Sequence, residues 1–414
     1  MKYAIIIPDG FADEPLDELG GKTPMQAALT PNLDALAPTA RIGRSHNVPP
    51  ALTPGSDVAT LALLGYDPAE VYTGRAPLEA AALGIDLGPD DWALRCNLVT
   101  LFDGKMKSFT ADHISSNEAA ELLAAVAEQI APRWEQIAPN APGSIEFYPG
   151  VSYRNIMVFR PKDAKAAALF SPATKTFPPH DYTDQAFAQA LPVGDGADEL
   201  RRLMGEIEAL FAQSRVNQKR VAQGHLPATN AWLWGQGKRP RILPFAEKFG
   251  GVRGGMISAV DLLRGIAKNL GWRIIDVPGI TGYVDTDFAA KGRYAAEALD
   301  DLDLICVHVE APDESGHEGA TAKKVKSLED IDAKVLPPIL EKLRTFPEWR
   351  LLVTPDHPTP VRIKTHSHGE VPWLIAGSDI RGEGVSEYNE ATAAESSHYY
   401  ERGWELMPEF LGEG

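Results

Sequence analysis

Short, uninterrupted runs of apolar residues recur along the chain, and they constrain its fold more than any other feature. These runs are YAIII (3–7), RIIDV (273–277), LDLICVHV (302–309), WRLLV (349–353) and PWLIAG (372–377). Runs of strand length without polar alternation are typical of strands that are buried on both faces of a parallel sheet. Helical patterns at 259–270 and 326–346 separate the later runs. The alternation predicts an α/β fold with a mostly parallel sheet flanked by helices.

The middle of the chain has a different pattern. Within it, residues 94–109 have the pattern of a hairpin and residues 144–160 that of paired strands, with a helical segment between them. A length of 414 residues also favours more than one domain. We therefore predict a discontinuous core domain at 1–80 and 221–414, interrupted by an inserted α+β cap domain at 81–220.

Charge and cysteine content exclude several classes of protein. The 40 basic and 57 acidic residues give a formal charge of −17, which argues against non-specific binding to nucleic acid or to an anionic membrane. Cys96 and Cys306 both lie in apolar, strand-like surroundings, so a disulfide framework or a thiolate metal cage is not expected. The sequence has neither a signal-peptide pattern nor an apolar segment of membrane-spanning length. We expect a cytoplasmic enzyme.

Acidic and imidazole side chains lie next to several of the predicted strands, and in open α/β sheets ligands bind at the carboxyl ends of the strands. These candidates are Asp9, Asp313, His317, Asp356, His357, His366 and His368. The spacing of four between Asp313 and His317 places both on one face of a helical turn. Taken alone, Asp9 before Gly10 is better explained by a turn and the Asp313–His317 pair by a cap and a surface histidine, and the other motifs would also suit polar loops. Their shared placement predicts a site for manganese, zinc or a related divalent ion.

The stretch TPGSDVATLALLGYDP (53–68) places Ser56 just before an apolar helical run. Ser56 or Asp57 would be an ordinary cap for a helix that begins near Val58. Alternatively, Ser56 is a nucleophile at a helix N-terminus, where backbone N–H groups favour phosphate. The chain has no G-x-S-x-G elbow and no P-loop, so a protease-like or nucleotide-binding role for this serine is not indicated.

A long, ordered set of motifs covers nearly the whole sequence. The set includes PGSD, LGYDPAEVYTGRAPLEA, FYPGVSYR, PPHDYT, WLWGQGKRP, VPGITGYVDTD, HVEAPDESGHEG and TPDHPTP. In these motifs the chain resembles the archaeal-type, cofactor-independent (2,3-bisphosphoglycerate-independent) phosphoglycerate mutases of the alkaline phosphatase superfamily. The resemblance implies an alkaline-phosphatase-like fold and the interconversion of 3-phosphoglycerate and 2-phosphoglycerate through a phosphoserine at Ser56. It also implies two divalent metal ions and no bisphosphoglycerate, with manganese favoured and zinc, cobalt or magnesium as alternatives.

The resemblance also implies how the metal ligands are shared. One ion would take Asp313, His317 and a histidine from THSHGEVP, where the spacing to Val-Pro favours His366 over His368. The second ion would take Asp9, Asp356, His357 and the hydroxyl oxygen of Ser56. Coordination to a metal lowers the pKa of a hydroxyl, so Ser56 would need no histidine base.

Further residues are implied as contacts of the substrate. They are Arg75, Arg154, His113, His180, Asp181 and Arg253. Other interpretations remain open, because Arg75 would also suit the C-terminus of a helix, and Arg154 and Arg253 would also suit an exposed surface. His113 would also fit as a residue that merely precedes a cap at Ser115 or Ser116.

Two other functions are compatible with this ligand set. One is a metal-dependent phosphatase or phosphotransferase that acts on another small phosphorylated metabolite. The other is a non-catalytic metabolite-binding protein with the same fold. A mutase must keep water away from its phosphoserine, which is the role expected of the inserted domain. The expected partner is a small phosphorylated metabolite rather than a nucleic acid or a membrane, and the oligomeric state is left open.

Overall fold

The structure is a computed structural model that describes residues 1–412. The strands are β1 Lys2–Pro8, β2 Arg41–Ser45, β3 Trp92–Phe102, β4 Lys105–Ser108, β5 Gly143–Tyr148, β6 Arg154–Pro161, β7 Asn230–Lys238, β8 Gly254–Ile257, β9 Arg273–Ile274, β10 Leu304–Val309, β11 Trp349–Val353, β12 Val371–Gly377 and β13 Tyr399–Tyr400.

The helices before the later strands of the chain are α1 Pro24–Ala27, α2 Pro31–Leu36, α3 Ser56–Leu63, α4 Pro68–Val71, α5 Arg75–Ala82, α6 Ser116–Gln129, α7 Trp134–Ile137, α8 Ala164–Ala167, α9 Ala197–Phe211 and α10 Arg215–Ala222. Those that follow are α11 Phe245–Lys248, α12 Asp261–Asn269, α13 Phe288–Ala298, α14 Ala311–Glu318, α15 Thr321–Asp330, α16 Leu336–Leu343, α17 Glu390–Glu395 and α18 Leu406–Leu411. The chain forms two compact units, residues 1–72 with 241–414 and residues 73–240.

The first unit contains a sheet with the strand order β13-β2-β12-β11-β1-β10-β8-β9. β1 lies between β10 and β11 and runs parallel to both, whereas β12 runs antiparallel to β11 and β2. Successive residues of a strand point to opposite faces, and all four residues from Ala4 to Ile7 are fully buried. Both faces of the sheet are therefore covered, and the predicted α/β fold with a mostly parallel sheet is confirmed.

Strand direction brings several loops to one edge of this sheet. β1, β2, β10 and β11 all end at that edge because they are parallel to one another. β12 is antiparallel to them, so the loop that precedes it lies at the same edge. The carboxyl edge of the sheet is therefore where residues from distant parts of the sequence meet.

The segment at 326–346, predicted as one helix, is divided. α15 and α16 are joined by a π-helical segment, Ile331–Val335. The first turn of α16 contains Pro337 and Pro338, which have no backbone N–H to donate to the preceding turn. The strand predicted at 273–277 is likewise shorter, since β9 covers only Arg273–Ile274.

The second unit is built on an antiparallel sheet. β3 pairs with β6 on one side and with β7 on the other, β5 pairs with β6, and β4 forms a hairpin with β3. The sequence placed the limits of this segment at 81 and 220, but the unit runs from residue 73 to residue 240. The difference has a physical reason, because β7 pairs along β3 and α5 packs on both of these strands.

Both cysteines are buried and free. Burial raises the pKa of the Cys96 thiol to about 12 and moves that of Cys306 in the same direction, so neither is a thiolate near neutral pH. Over residues 1–412, every helix falls short of the length and hydrophobicity that a membrane span requires.

Candidate metal centre

Ser56 is the first residue of α3 and does not cap it. The cap position is held by Gly55, and no side chain makes a capping hydrogen bond there. The hydroxyl of Ser56 lies 3.3 and 3.4 Å from the two carboxylate oxygens of Asp9 and 3.1 Å from His357 Nε2. The capping interpretation is therefore wrong for Ser56, whose hydroxyl faces acidic and imidazole groups at a helix N-terminus.

Asp9, Asp356 and His357 form one cluster at the carboxyl edge, after the neighbouring strands β1 and β11. His357 Nε2 lies 3.4 Å from Asp9 Oδ1 and 3.5 Å from Asp356 Oδ2. Asp356 Oδ1 accepts the backbone N–H groups of Gly10 and His357, at 3.1 and 2.9 Å. Asp356 Oδ2 is buried and has no hydrogen-bond partner among residues 1–412. A bound cation would satisfy this buried carboxylate oxygen.

Asp313, His317 and His366 form a second cluster. Asp313 and His317 lie one turn apart on α14, which follows β10 directly, with His317 Nε2 3.2 Å from Asp313 Oδ2. His366, from the loop before β12, places its Nε2 3.5 Å from Asp313 Oδ1 and 3.0 Å from His317 Nε2. His368 is exposed and does not share in this cluster.

Backbone carbonyls orient the three imidazoles. Each ring directs its Nδ1 at a carbonyl oxygen: His317 at Lys364 (3.1 Å), His366 at Pro54 (3.2 Å) and His357 at Pro358 (3.4 Å). A carbonyl only accepts hydrogen bonds, so this arrangement favours a proton on Nδ1, and in the neutral form of each ring the Nε2 lone pair is directed into the site.

The carboxylates lie close together and away from water. Asp9, Asp313 and Asp356 are each at most 5% exposed. Burial, and then the charges of Asp356 and Asp313, raise the pKa of Asp9 well above its ordinary value. Burial acts on Asp313 in the same direction, but hydrogen bonds from His317 and His366 outweigh it and hold its pKa well below the usual range. Buried carboxylates grouped this closely need positive charge, and divalent cations fit that requirement.

Comparison with known proteins identifies the family. The sequence model of the family described as 2,3-bisphosphoglycerate-independent phosphoglycerate mutase matches residues 37–217. The chain is similar to the mutase of that name from Methanothrix thermoacetophila, with 44% identity over 409 residues and 98% of each chain covered.

The chain belongs to the 2,3-bisphosphoglycerate-independent phosphoglycerate mutase family. A relative named as a probable mutase of this kind, from Geobacter sulfurreducens, is 43% identical over 416 residues, which cover 99% of this chain and 100% of the relative. The solved cofactor-independent phosphoglycerate mutase of Thermoplasma acidophilum has a similar fold, with a TM-score of 0.66, 26% identity and 100% of each chain covered.

His308 contacts the candidate metal-centre residue Asp9 and was not predicted from the sequence. It lies in β10, with its Nε2 2.9 Å from Asp9 Oδ2 and its Nδ1 3.3 Å from the hydroxyl of Ser258. Burial lowers the pKa of His308 to about 3, so the ring stays neutral and orients Asp9. The sequence signal that could have found His308 is its position inside the apolar run LICVHV, which has the same buried-strand pattern as β1.

The remaining candidates are the predicted substrate contacts, and all of them except Arg253 lie in the second unit. Arg75 begins α5, so the suggested position at a helix C-terminus is wrong, and Arg154 is exposed at the start of β6. Arg95, which the sequence analysis missed, stacks on Trp234, with 4.2 Å from its guanidinium carbon to the ring centroid. Burial lowers the pKa of Arg95, and the charges of Arg75 and Arg154 add to that effect. The three guanidinium groups therefore lie in one region of this unit.

Histidine candidates of the same unit lie near aromatic rings or a helix start. The exposed ring of His180 is 5.7 Å from that of Trp234, and its Nε2 is 3.6 Å from Asp181 Oδ1. His113 is exposed and precedes Ser115, whose side chain caps α6.

The substrate role predicted for Arg253 is not supported. Its guanidinium is 63% exposed and makes a two-pronged pair with Asp303, at 3.0 and 3.2 Å. Arg253 and Asp303 precede β8 and β10, which places them at the amino edge of the sheet. The metal candidates are at the opposite, carboxyl edge.

Proposed function

We propose that this chain interconverts 3-phosphoglycerate and 2-phosphoglycerate through a phosphoserine at Ser56. The observation that carries the proposal is the position of the Ser56 hydroxyl at the N-terminus of α3, 3.1 Å from His357 Nε2 and 3.3 Å from Asp9. Membership of the mutase family supports the choice of substrate. The cytoplasmic location and the absence of nucleic-acid and membrane partners stay predictions.

Each of the two clusters would hold one divalent cation. Asp313, His317 and His366 would hold one, and Asp9, Asp356, His357 and the Ser56 oxygen would hold the other. Bound cations of this kind lower the pKa of a nearby hydroxyl and offset the negative charge of a phosphoryl group. Mixed carboxylate and imidazole ligands favour manganese, with zinc, cobalt and magnesium as alternatives.

The chemistry then follows from the single nucleophile. Ser56 Oγ loses its proton and bonds to the phosphorus of 3-phosphoglycerate, while the bond from phosphorus to the C3 oxygen breaks and that oxygen takes a proton. Glycerate turns, and its C2 oxygen loses a proton and takes the phosphoryl group from Ser56, whose oxygen is protonated again. Because the enzyme carries the phosphoryl group, no bisphosphoglycerate is consumed. The N-terminus of α3 favours the phosphate at this position.

The residues predicted to contact the substrate complete this proposal. Arg75 and Arg154 bind carboxylate and phosphate oxygens through the planar guanidinium, which pairs with two oxygens at once. His113 and His180, with Asp181 beside the latter, would exchange protons with glycerate hydroxyls, since imidazole titrates near neutral pH.

A single experiment distinguishes the proposal from its alternatives. Manganese-loaded protein is incubated with 3-phosphoglycerate, and the phosphorus species are followed by ³¹P NMR. The proposal predicts an equilibrium mixture of the two phosphoglycerates. Inorganic phosphate without 2-phosphoglycerate would instead indicate a phosphatase, and an unchanged spectrum would indicate a binding protein.

A further inference from the structure

Thr359 contacts a member of each of the two clusters. It is fully buried in the loop after β11. Its hydroxyl oxygen lies 2.5 Å from Asp313 Oδ1 and 3.2 Å from His357 Nδ1. Asp313 belongs to one proposed cation site and His357 to the other, so one hydroxyl group joins the two sites.

The roles in these two hydrogen bonds follow from the chemistry of the groups. An ionised carboxylate only accepts, so Thr359 donates its proton to Asp313. The hydroxyl oxygen then accepts from His357, which requires the proton of that ring to be on Nδ1. The Nε2 lone pair of His357 is left facing the hydroxyl of Ser56, at 3.1 Å. Thr359 thereby helps to orient one proposed ligand and, together with Pro358 O, favours the Nδ1 tautomer of another.

The backbone of Thr359 is held at both of its polar groups. Its N–H donates to Gly10 O at 3.1 Å, and its C=O accepts from Lys324 Nζ at 2.8 Å. Lys324 is itself buried and pairs with Asp13 at 2.8 Å. This loop is therefore anchored to the segment after β1 and to α15.

Two glycines allow Thr359 to lie close to the segment after β1 and to α14. Gly10 has a φ of +60°, and a Cβ there would lie 2.5 Å from the hydroxyl oxygen of Thr359 and 2.4 Å from Asp313 Oδ1. A Cβ on Gly316 would lie 2.5 Å from the carbonyl oxygen of Thr359. The surroundings of Thr359 are thus built to bring its hydroxyl against the ligands.

We propose that Thr359 is a positioning residue that couples the two cation sites. The inference rests on the proposed two-cation site and adds to it that both sites depend on one hydroxyl. Loss of that hydroxyl removes one of the contacts that orient Asp313 and the nearer of the two acceptors for His357 Nδ1–H, the other being Pro358 O at 3.4 Å. Both cations are then bound more weakly, in the same variant.

The test compares Thr359→Ser with Thr359→Ala, which differ by one hydroxyl. Manganese binding to the metal-free proteins is measured by calorimetric titration, with bound metal counted by elemental analysis. Wild type and the serine variant are expected to bind two ions with similar affinity. Removing a group that orients a metal ligand typically weakens binding about 10- to 100-fold, and we expect that loss at both sites of the alanine variant.

Thr354→Ala is the matched control. Thr354 is buried in the same loop, but its hydroxyl donates to Pro355 O at 2.9 Å rather than to a ligand side chain. This variant is expected to bind manganese as wild type does. If Thr359→Ala does not fold, Thr359→Val, which keeps the side-chain volume, takes its place in the comparison with serine.

Two results would overturn the inference. Wild-type affinity at both sites without the hydroxyl would show that Thr359 is not needed, and weakening at one site alone would show that it does not couple them. Failure of the two-cation proposal would be visible separately, because wild type itself would then bind fewer than two ions.

Discussion

His317 Nε2 lies 3.0 Å from His366 Nε2, although each ring directs its Nδ1 at a backbone carbonyl. If both protons are on Nδ1, two lone pairs face each other beside Asp313. A divalent cation would resolve this contact, and so would an additional proton. The pKa of His317 is raised to about 9, chiefly by its hydrogen bond to Asp313, so protons and metal compete for the same group.

The first prediction separates the two histidines of the THSHGEVP loop. His366→Ala is expected to bind one ion fewer than wild type, or to bind it at least about 10-fold more weakly, because Nε2 of His366 belongs to the cluster. His368→Ala serves as the control, since His368 is exposed two residues away and should leave metal content unchanged. Elemental analysis of both variants after dialysis decides the question. Equal metal content in the two would rule out His366 as a ligand.

Ser56→Ala is expected to lower mutase turnover by about 10⁴-fold or more, because the proposed route has no other nucleophile. The stability of the fold should change little, since Ser56 makes no capping hydrogen bond to α3. Turnover is followed by ³¹P NMR, and thermal unfolding of the same sample serves as the control for folding. A variant that still converts 3-phosphoglycerate at the wild-type rate would exclude the phosphoserine route.

The sequence grouped the candidate ligands that follow strands, and the reason is geometric. Parallel strands end at the same edge, so Asp9, Asp313 and Asp356 could be grouped without knowing the strand order. His308 could not be grouped in this way, because its contact with Asp9 depends on the register of β10 against β1, where His308 lies opposite Ile7. Inside an apolar run, a histidine has the same pattern as a core residue.

Other differences between the sequence predictions and the structure also arise from tertiary contacts that the sequence does not show. The second unit extends past the predicted boundary at 220 because β7 pairs with β3, which the sequence does not show. Thr359 was overlooked because its role is set by Asp313, 46 positions earlier in the chain. Arg253 was selected from its motif, but the direction of β8 places it at the wrong edge of the sheet.

Arg154 and Arg253 form a matched pair for testing substrate contacts. Arg154→Ala is expected to raise the KM for 3-phosphoglycerate by about 10- to 100-fold, the loss typical of a hydrogen bond to a charged group. Arg253→Ala should leave KM unchanged, because that guanidinium pairs with Asp303 at the amino edge of the sheet. Metal content, measured in parallel, should be the same in both variants. An equal KM for the two would remove Arg154 from the substrate contacts.

The last prediction concerns the pH dependence of stability. Lys291 is buried and donates to His308 O at 2.8 Å, and burial lowers its pKa to about 8. Its pKa in the unfolded chain is near the ordinary value of about 10.4. Between these two values the unfolded state binds more protons, so the contribution of Lys291 to the free energy of unfolding rises with pH.

For Lys291 this rise amounts to about 2 kcal/mol between about pH 7.5 and about pH 9.5. The Lys291→Met variant lacks this titrating group. The difference in the free energy of unfolding between wild type and the variant should therefore increase by about 2 kcal/mol over the same pH range. Urea unfolding of both proteins, with chelator present at each pH, measures the difference. His317 and the other titrating groups are common to both proteins and cancel. Parallel pH profiles for the two would mean that Lys291 keeps an ordinary pKa in the folded protein.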